Sequence, residues 1–338
     1  MNLGAKLSLL EIKNLNRHFY DKKSKILNHV LKGISFTISE GEKVGIVGES
    51  GCGKTTLAKT ILNLHDKHTE DTGSIMFRGN DIHNLASKAF RPLRSELQIM
   101  YQDPFTSLNQ KMSVEGILIE ALKQKYAGKR KKELLPKVRN LMQTYRIQVQ
   151  NINKRPSKLS GGECRRVGIA RVMALEPSFL IADEPVASLD ASIKDQIMQL
   201  LVSKVNTLLT ISHDMRIIQK YVDKIVVLYA GMIVEISERI VNAVPNEQQF
   251  KFYHPYSKSL LESVAYFNSK SKRVDIPVHK LNGENGMSSG SKSKGCPFIA
   301  HCPKVVEYSS DLQDICRRTQ PTLKNHENGF NATACHYV

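Results

Sequence analysis

The stretch GESGCGKT, Gly48 to Thr55, sets glycines, a lysine and a threonine at the spacing G-x-x-x-x-G-K-[ST]. That spacing suits chemistry on phosphate. Glycines let successive backbone N–H groups point inward, and a helix that starts just after them adds the positive end of its dipole. Gly48, Ser50, Gly51, Cys52, Gly53 and Thr56 would then surround the phosphates of a nucleotide. Lys54 would reach the β- and γ-phosphates, and the Thr55 hydroxyl would ligate Mg²⁺. A second stretch, FLIADE, ends an apolar run on Asp183 with Glu184 beside it. Asp183 can hold the Mg²⁺ shell, directly or through water, and Glu184 can polarise an attacking water. Alone, an acidic pair at a strand end is often a helix cap or a surface feature. Beside the glycine loop, the nucleotide reading prevails.

Such residues need elements that hold them. EKVGIVG is a short apolar run ending in glycine, as expected of a buried strand feeding a tight turn. KTTLAKTILNL, which follows, places Leu57, Ala58, Ile61 and Leu62 on one helical face. LLEIKNL and ISFTI have strand composition, and FLIAD and LLTIS are again apolar runs that stop at polar residues. IKDQIMQLL between the last two is an amphipathic helix. Strands without polar alternation, separated by helices, imply an α/β fold whose sheet is covered on both faces. Chemistry in such sheets sits at the carboxyl ends of the strands. From about 86 to 174 the chain is helix-rich and charged, which predicts an inserted helical subdomain. After about 240 the composition changes again, and 269–295 has the Ser, Lys and Gly content of a linker. The expected division is a nucleotide-binding domain over 1–240 and a C-terminal extension over 241–338.

Up to this point the residues describe a P-loop nucleotidase. Four further stretches narrow it: YQDP (Tyr101 to Pro104), LSGGE (Leu159 to Glu163), ASLD (Ala187 to Asp190) and ISHD (Ile211 to Asp214). In this order and setting they resemble the ATP-binding cassette (ABC) family, over about Leu9 to Ile236. The resemblance implies a P-loop NTPase fold with a mixed sheet core, an antiparallel β portion and the inserted helices. Two cassettes are expected to close head to tail around two ATP molecules. Ser160, Gly161, Gly162 and Glu163 would then meet the γ-phosphate bound on the partner, and Asp190 would link the two sites. The resemblance further implies that His213 contacts the γ-phosphate and holds Glu184 and water in line. Gln102 would reach the metal and water, and Phe19, with Tyr20 as a close second, would stack on adenine.

QIMYQDPFTSLN, YHPYSKSLLESV (Tyr253 to Val264) and the cysteine-bearing tail are similar to the subgroup that powers oligopeptide, dipeptide and nickel importers. GESGCGKT with YQDPFTSLN leans towards the second of the two ATPases these importers use. The resemblance implies a transport ATPase on the cytoplasmic face of the cell membrane. Its partners would be a second ABC ATPase subunit, two integral membrane permease subunits and, indirectly, an extracytoplasmic solute-binding protein, with no nucleic acid. Two departures stand out. The signature ends in Glu163 rather than glutamine, which keeps a hydrogen-bond acceptor. The spacing from Asp190 to His213 is about four residues shorter than in the subgroup, roughly one helical turn, so His213 is still expected to reach its place.

Composition limits the alternatives. The chain has 338 residues, 41% hydrophobic, enough for one large domain and a smaller one. MNLGAKLSLLEIKN lacks the pattern of a signal peptide, and IVVLYAGMIV is far shorter than the ~20 residues of a membrane helix. A soluble, intracellular chain is therefore expected. A net charge of +17 suits an anionic leaflet or nucleic acid, or is simply a solvated surface. A soluble cassette ATPase acting on nucleic acid is the rival reading, although such proteins usually carry two cassettes or a long coiled coil, and this chain shows one glycine loop and no heptad run. A regulatory or metal-sensing subunit is a third. Of six cysteines, Cys52 and Cys164 read as small packing residues, while Cys296, Cys302, Cys316 and Cys335 cluster near the end. Those four could hold an iron–sulfur cluster, which the subgroup resemblance allows as a [4Fe-4S] centre, or Zn²⁺ with His301 or His336. They could equally staple the tail without metal.

Overall fold

Apolar runs that end in glycine or a carboxylate form the centre of the molecule. A computed structural model describes residues 8–21, 26–64, 69–83, 85–187, 191–240, 249–266, 295–327, 329 and 331–338. The expected strands are there: β1 (Ser8–Asp21) and β2 (Ile26–Ser39), then β3 (Lys43–Val47) from EKVGIVG. Next come β4 (Thr69–Phe77), β5 (Asn80–Asp81), β6 (Leu97–Met100), β7 (Phe179–Asp183) from FLIAD and β8 (Thr207–Ser212) from LLTIS. The series closes with β9 (Lys224–Tyr229), β10 (Met232–Glu238), β11 (Lys324–Asn325) and β12 (Asn331–Thr333).

Two sheets result. A four-stranded antiparallel sheet runs β2-β1-β4-β5, and an eight-stranded sheet runs β11-β12-β10-β9-β3-β8-β7-β6. In the larger one β6, β7, β8, β3 and β9 are parallel, and β10, β12 and β11 continue it antiparallel. Alternate residues of its central strands go to opposite cores, as a pleat requires. Phe179, Ile181, Leu209 and Ile211 pack with β1, β2 and the helix Lys54–Ile61, whereas Leu180, Ala182 and Leu208 pack with the helices of the opposite face. Burial on both faces is why these strands lack polar alternation.

The segment 86–174 holds the helices Val114–Lys125, Lys131–Thr144 and Gly161–Met173. It also holds β6, which pairs in parallel with β7 and belongs to the large sheet. Residues beyond 240 pack into the main core. Phe250, Phe252, Tyr256 and Phe298 join the same buried cluster as Leu118, Val167 and Met215. β12 adds to the sheet through β10, with Glu235 opposite Thr333. So short a segment gains more apolar contact by extending an existing core than by building one. Among the described residues, no helix is long and apolar enough to cross a membrane.

Candidate nucleotide site

The strand order places four loops side by side. Val47 is opposite Ser212, Ile211 opposite Asp183, and Ala182 opposite Met100. The glycine loop after β3, His213 after β8, the acidic pair at the end of β7 and Gln102 after β6 therefore emerge together at the carboxyl ends of neighbouring parallel strands.

Backbone geometry shapes the glycine loop. Gly53 has φ 107° and caps the helix Lys54–Ile61, and Gly51 has φ 83°. A Cβ on Gly48 would lie 2.3 Å from the Leu228 carbonyl oxygen, so only glycine fits there. Lys54 is buried, and its ammonium donates to the carbonyl oxygens of Gly48 and Glu49, each at 2.7 Å. Cys52 is buried too; its carbonyl accepts the Gly231 N–H at 3.0 Å, and burial raises its thiol pKa.

The Thr55 hydroxyl donates to Asp183 Oδ2 at 2.9 Å. The other carboxylate oxygen, Asp183 Oδ1, is buried and meets no hydrogen-bond donor among the described residues. Burial raises the Asp183 pKa against the help of Thr55. A carboxylate held in this way, beside a hydroxyl, is a donor set that fits a hard cation such as Mg²⁺. Glu184 follows with φ 48°, its N–H donating to the Ile211 carbonyl at 2.9 Å. Its Oε1 lies 2.8 Å from His213 Nδ1, and that hydrogen bond is the chief reason the His213 pKa is raised. The shortened segment therefore still brings His213 to Glu184. The helix Ala191–Lys204 is followed almost directly by β8, with only 205 and 206 between them.

The signature is a capping box. Ser160 caps the helix Gly161–Met173: its Oγ accepts the Glu163 N–H at 3.3 Å, and Glu163 Oε2 accepts the Ser160 N–H at 2.9 Å. Glu163 Oε1 accepts from Asn151 Nδ2 at 2.7 Å, and the bonds from Ser160 and Asn151 lower its pKa. A Cβ on Gly161 or Gly162 would touch nothing within 4 Å, which leaves this helix start open to approach. Phe19 is half-buried on β1 and Tyr20 is exposed. The Arg17 guanidinium lies 5.9 Å from the Phe19 ring centre and donates to Thr60 Oγ1 on the phosphate-loop helix at 2.8 Å. Thr56 accepts the Thr60 hydroxyl through its carbonyl. Gln102 has an exposed side chain. Asp190 lies outside the described residues.

One participant escaped the sequence reading. Arg165, buried one residue past Cys164, donates through Nη2 to the Gln102 carbonyl at 2.8 Å and through Nη1 to the carbonyls of Glu184, at 3.4 Å, and Pro185. It ties the helix Gly161–Met173 to the Gln102 loop and to the loop that carries Glu184. Only its place on the helix after LSGGE could have signalled this.

The metal expectation for the tail is not supported. Cys296, Cys302, Cys316 and Cys335 line one cavity with Phe298 and Tyr308. Yet among the described residues no three His, Cys, Asp or Glu side chains form a group that could hold a metal ion. Burial raises the thiol pKa of Cys296 to about 11 and those of Cys316 and Cys335 upward as well.

Comparison with known proteins agrees with the geometry. The model of the family described as "ABC transporter" matches residues 31–187. The chain is 34% identical to a putative peptide import ATP-binding protein of Brucella ovis, over 95% of each chain. It is 36% identical to the oligopeptide transport ATP-binding protein OppF of Bacillus subtilis, covering 81% of this chain and 90% of that one. Against the dipeptide transport ATP-binding protein DppF of Lactococcus lactis it is 38% identical, covering 80% and 85%. Among solved structures, cbiO1 of Clostridium perfringens, part of the ABC transporter complex cbiONQ, superposes with a TM-score of 0.58 at 30% identity. That match spans 68% of this chain and 88% of that one. A dimeric ATP-binding cassette in a post-hydrolysis state, bound to ADP and phosphate, gives 0.60 at 23% identity over 68% and 98%, which speaks for the fold alone.

Proposed function

The chain belongs to the ABC transporter family, and we propose that it is the ATP-hydrolysing subunit of an importer for peptides or related solutes. The observation that carries the reading is the meeting of the glycine loop, the Thr55–Asp183 pair and the Glu184–His213 pair at adjacent strand ends. ATP is the substrate, with its phosphates at the N–H groups of 51–56 and Lys54, steadied by the loop carbonyls, reaching the β- and γ-phosphates. Thr55 and Asp183 would hold Mg²⁺, which supplies charge neutralisation on the phosphate oxygens. Glu184 takes a proton from the attacking water, and His213 fixes the carboxylate that does so. Gln102 senses occupancy and passes it to the docked permease. Ser160, Gly161, Gly162 and Glu163 complete the site of a second cassette, and Asp190 links the two.

The partners follow from that reading: a second ABC ATPase as a heterodimer, two membrane permease subunits, and a solute-binding protein acting from the far side. The chain would sit peripherally on the cytoplasmic face, where its +17 charge suits an anionic leaflet. Exposed Tyr101, which lines the groove between β6 and the signature helix, and exposed Phe105 in the same loop offer a docking place for permease helices. The names of the relatives favour import of peptides over action on nucleic acid. The test is purification with its membrane subunits, reconstitution, and ATP-dependent uptake of a peptide panel. Uptake with ATP turnover is expected; retention on RNA or DNA with no membrane partner would overturn the reading.

A further inference from the structure

The strand-end loops account for the inner wall of the phosphate loop; its outer wall is held by residues far away in the chain. On one side the turn between β9 and β10 donates the Gly231 N–H to the Cys52 carbonyl at 3.0 Å. On the other, the Glu49 N–H donates to the Tyr256 hydroxyl at 2.8 Å. Tyr256 belongs to the C-terminal extension, 207 residues away, as the second residue of the helix Pro255–Tyr266. It is 2% exposed, and its ring packs edge-on against Tyr229, with centroids 4.7 Å apart, and tilted against Phe298 at 5.4 Å. Burial raises its pKa far upward, so the hydroxyl stays neutral.

The bond has a specific consequence because a peptide group is planar and trans, with its N–H and C=O on opposite edges. The plane whose N–H meets Tyr256 is the Gly48–Glu49 peptide, and its C=O is the Gly48 oxygen that accepts from the Lys54 ammonium at 2.7 Å. Fixing the N–H fixes the carbonyl. We propose that Tyr256 is a positioning residue for nucleotide binding: through the Gly48–Glu49 peptide it holds the phosphate loop and Lys54 ready for ATP. The extension thereby sets the affinity of the cassette for nucleotide. The inference rests on the ATPase reading and goes beyond it.

A preformed loop spares ATP the cost of ordering it, so the bond acts on affinity rather than on the chemical step. Glu184 and His213 stand on other strands and keep their contact. Full-length Tyr256→Phe, which keeps the ring and loses only the hydroxyl, is expected to bind MgATP about three- to tenfold more weakly. Its KM rises by the same factor while kcat holds. Tyr229→Phe is the control: it removes a neighbouring hydroxyl that meets His301 at 3.3 Å and not the loop, and its affinity should equal wild type. Equal MgATP affinity in Tyr256→Phe and wild type overturns the proposal, as does an equal loss in both variants. Wild-type protein that binds no MgATP at all would instead overturn the ATPase reading. If Tyr256→Phe melts lower, amide exchange of the nucleotide-free protein decides. Faster exchange confined to 48–53 supports the proposal, and faster exchange across the whole extension shows a packing role and overturns it.

Discussion

At Glu184 the chain accepts a left-handed backbone conformation, φ 48°, that costs about 1–3 kcal/mol for a residue with a side chain. The Ile211 carbonyl and the Arg165 guanidinium hold it there, and the carboxylate is delivered to His213 Nδ1. The strain and the proposed general base coincide. Glu184→Gln is expected to bind MgATP and to lower ATP turnover by about two orders of magnitude or more, since positioned general bases contribute at least that. Turnover at the wild-type rate would remove Glu184 from its role. The same variant tests the pair. The folded His213 pKa is raised above its ordinary 6.5 chiefly by Glu184. The pair's contribution to stability is thus fully present below 6.5 and lost as pH rises through the raised value. In Glu184→Gln the His213 pKa, followed by NMR titration, should fall back towards 6.5, and a value unchanged from wild type would mean that another group sets it.

Among the elements, the signature helix does two things with one residue. Ser160 caps it, and the same hydroxyl is the group proposed to meet the partner's γ-phosphate. Ser160→Ala should lower unfolding free energy by about 1 kcal/mol and also lower turnover, while Ser160→Asp keeps an N-cap and so keeps stability. The aspartate would repel the γ-phosphate, so its turnover should be lower still. Denaturant melts and ATPase assays separate the two effects, and a Ser160→Asp enzyme as active as wild type would refute the phosphate contact. The capping box went unread, although its partners, Ser160 and Glu163, lie only three residues apart. Legible were β3, β7 and β8, whose unbroken apolar runs follow from burial on both faces. β6 and β12 were not: four and three residues carry too little pattern to separate a strand from a loop. Nor were Arg165 and Tyr256 legible. Arg165 acts through backbone carbonyls 19 and 63 residues away, and Tyr256 through an N–H 207 residues away, separations at which sequence spacing carries no signal.

Across the whole molecule, the seam between cassette and extension is polar at its heart. Glu235, fully buried on β10, accepts the N–H groups of Tyr253 at 2.6 Å and His254 at 3.3 Å and the Thr333 hydroxyl at 3.2 Å. It sits at the positive end of the helix Pro255–Tyr266, where a carboxylate is favoured. His254 caps that helix, its Nδ1 accepting the Tyr256 N–H at 3.1 Å, an arrangement that only the neutral ring allows. Burial lowers its pKa to about 4. The unfolded chain takes up this proton near 6.5 and the folded one near 4, so stability present above 6.5 drains away as pH falls through that window, by at most about 3 kcal/mol. His254→Asn keeps a side-chain oxygen for the Tyr256 N–H and removes the titration. Glu235, which burial shifts upward, has the opposite pH dependence but is common to both proteins, so their difference isolates His254. Denaturation between pH 7 and 4.5 should therefore show wild type losing more stability than His254→Asn. Parallel losses would mean that the ring is already charged or already exposed. Because Tyr256 hangs from the same cap, acid that loosens this seam should weaken MgATP binding in wild type before it weakens it in the asparagine variant.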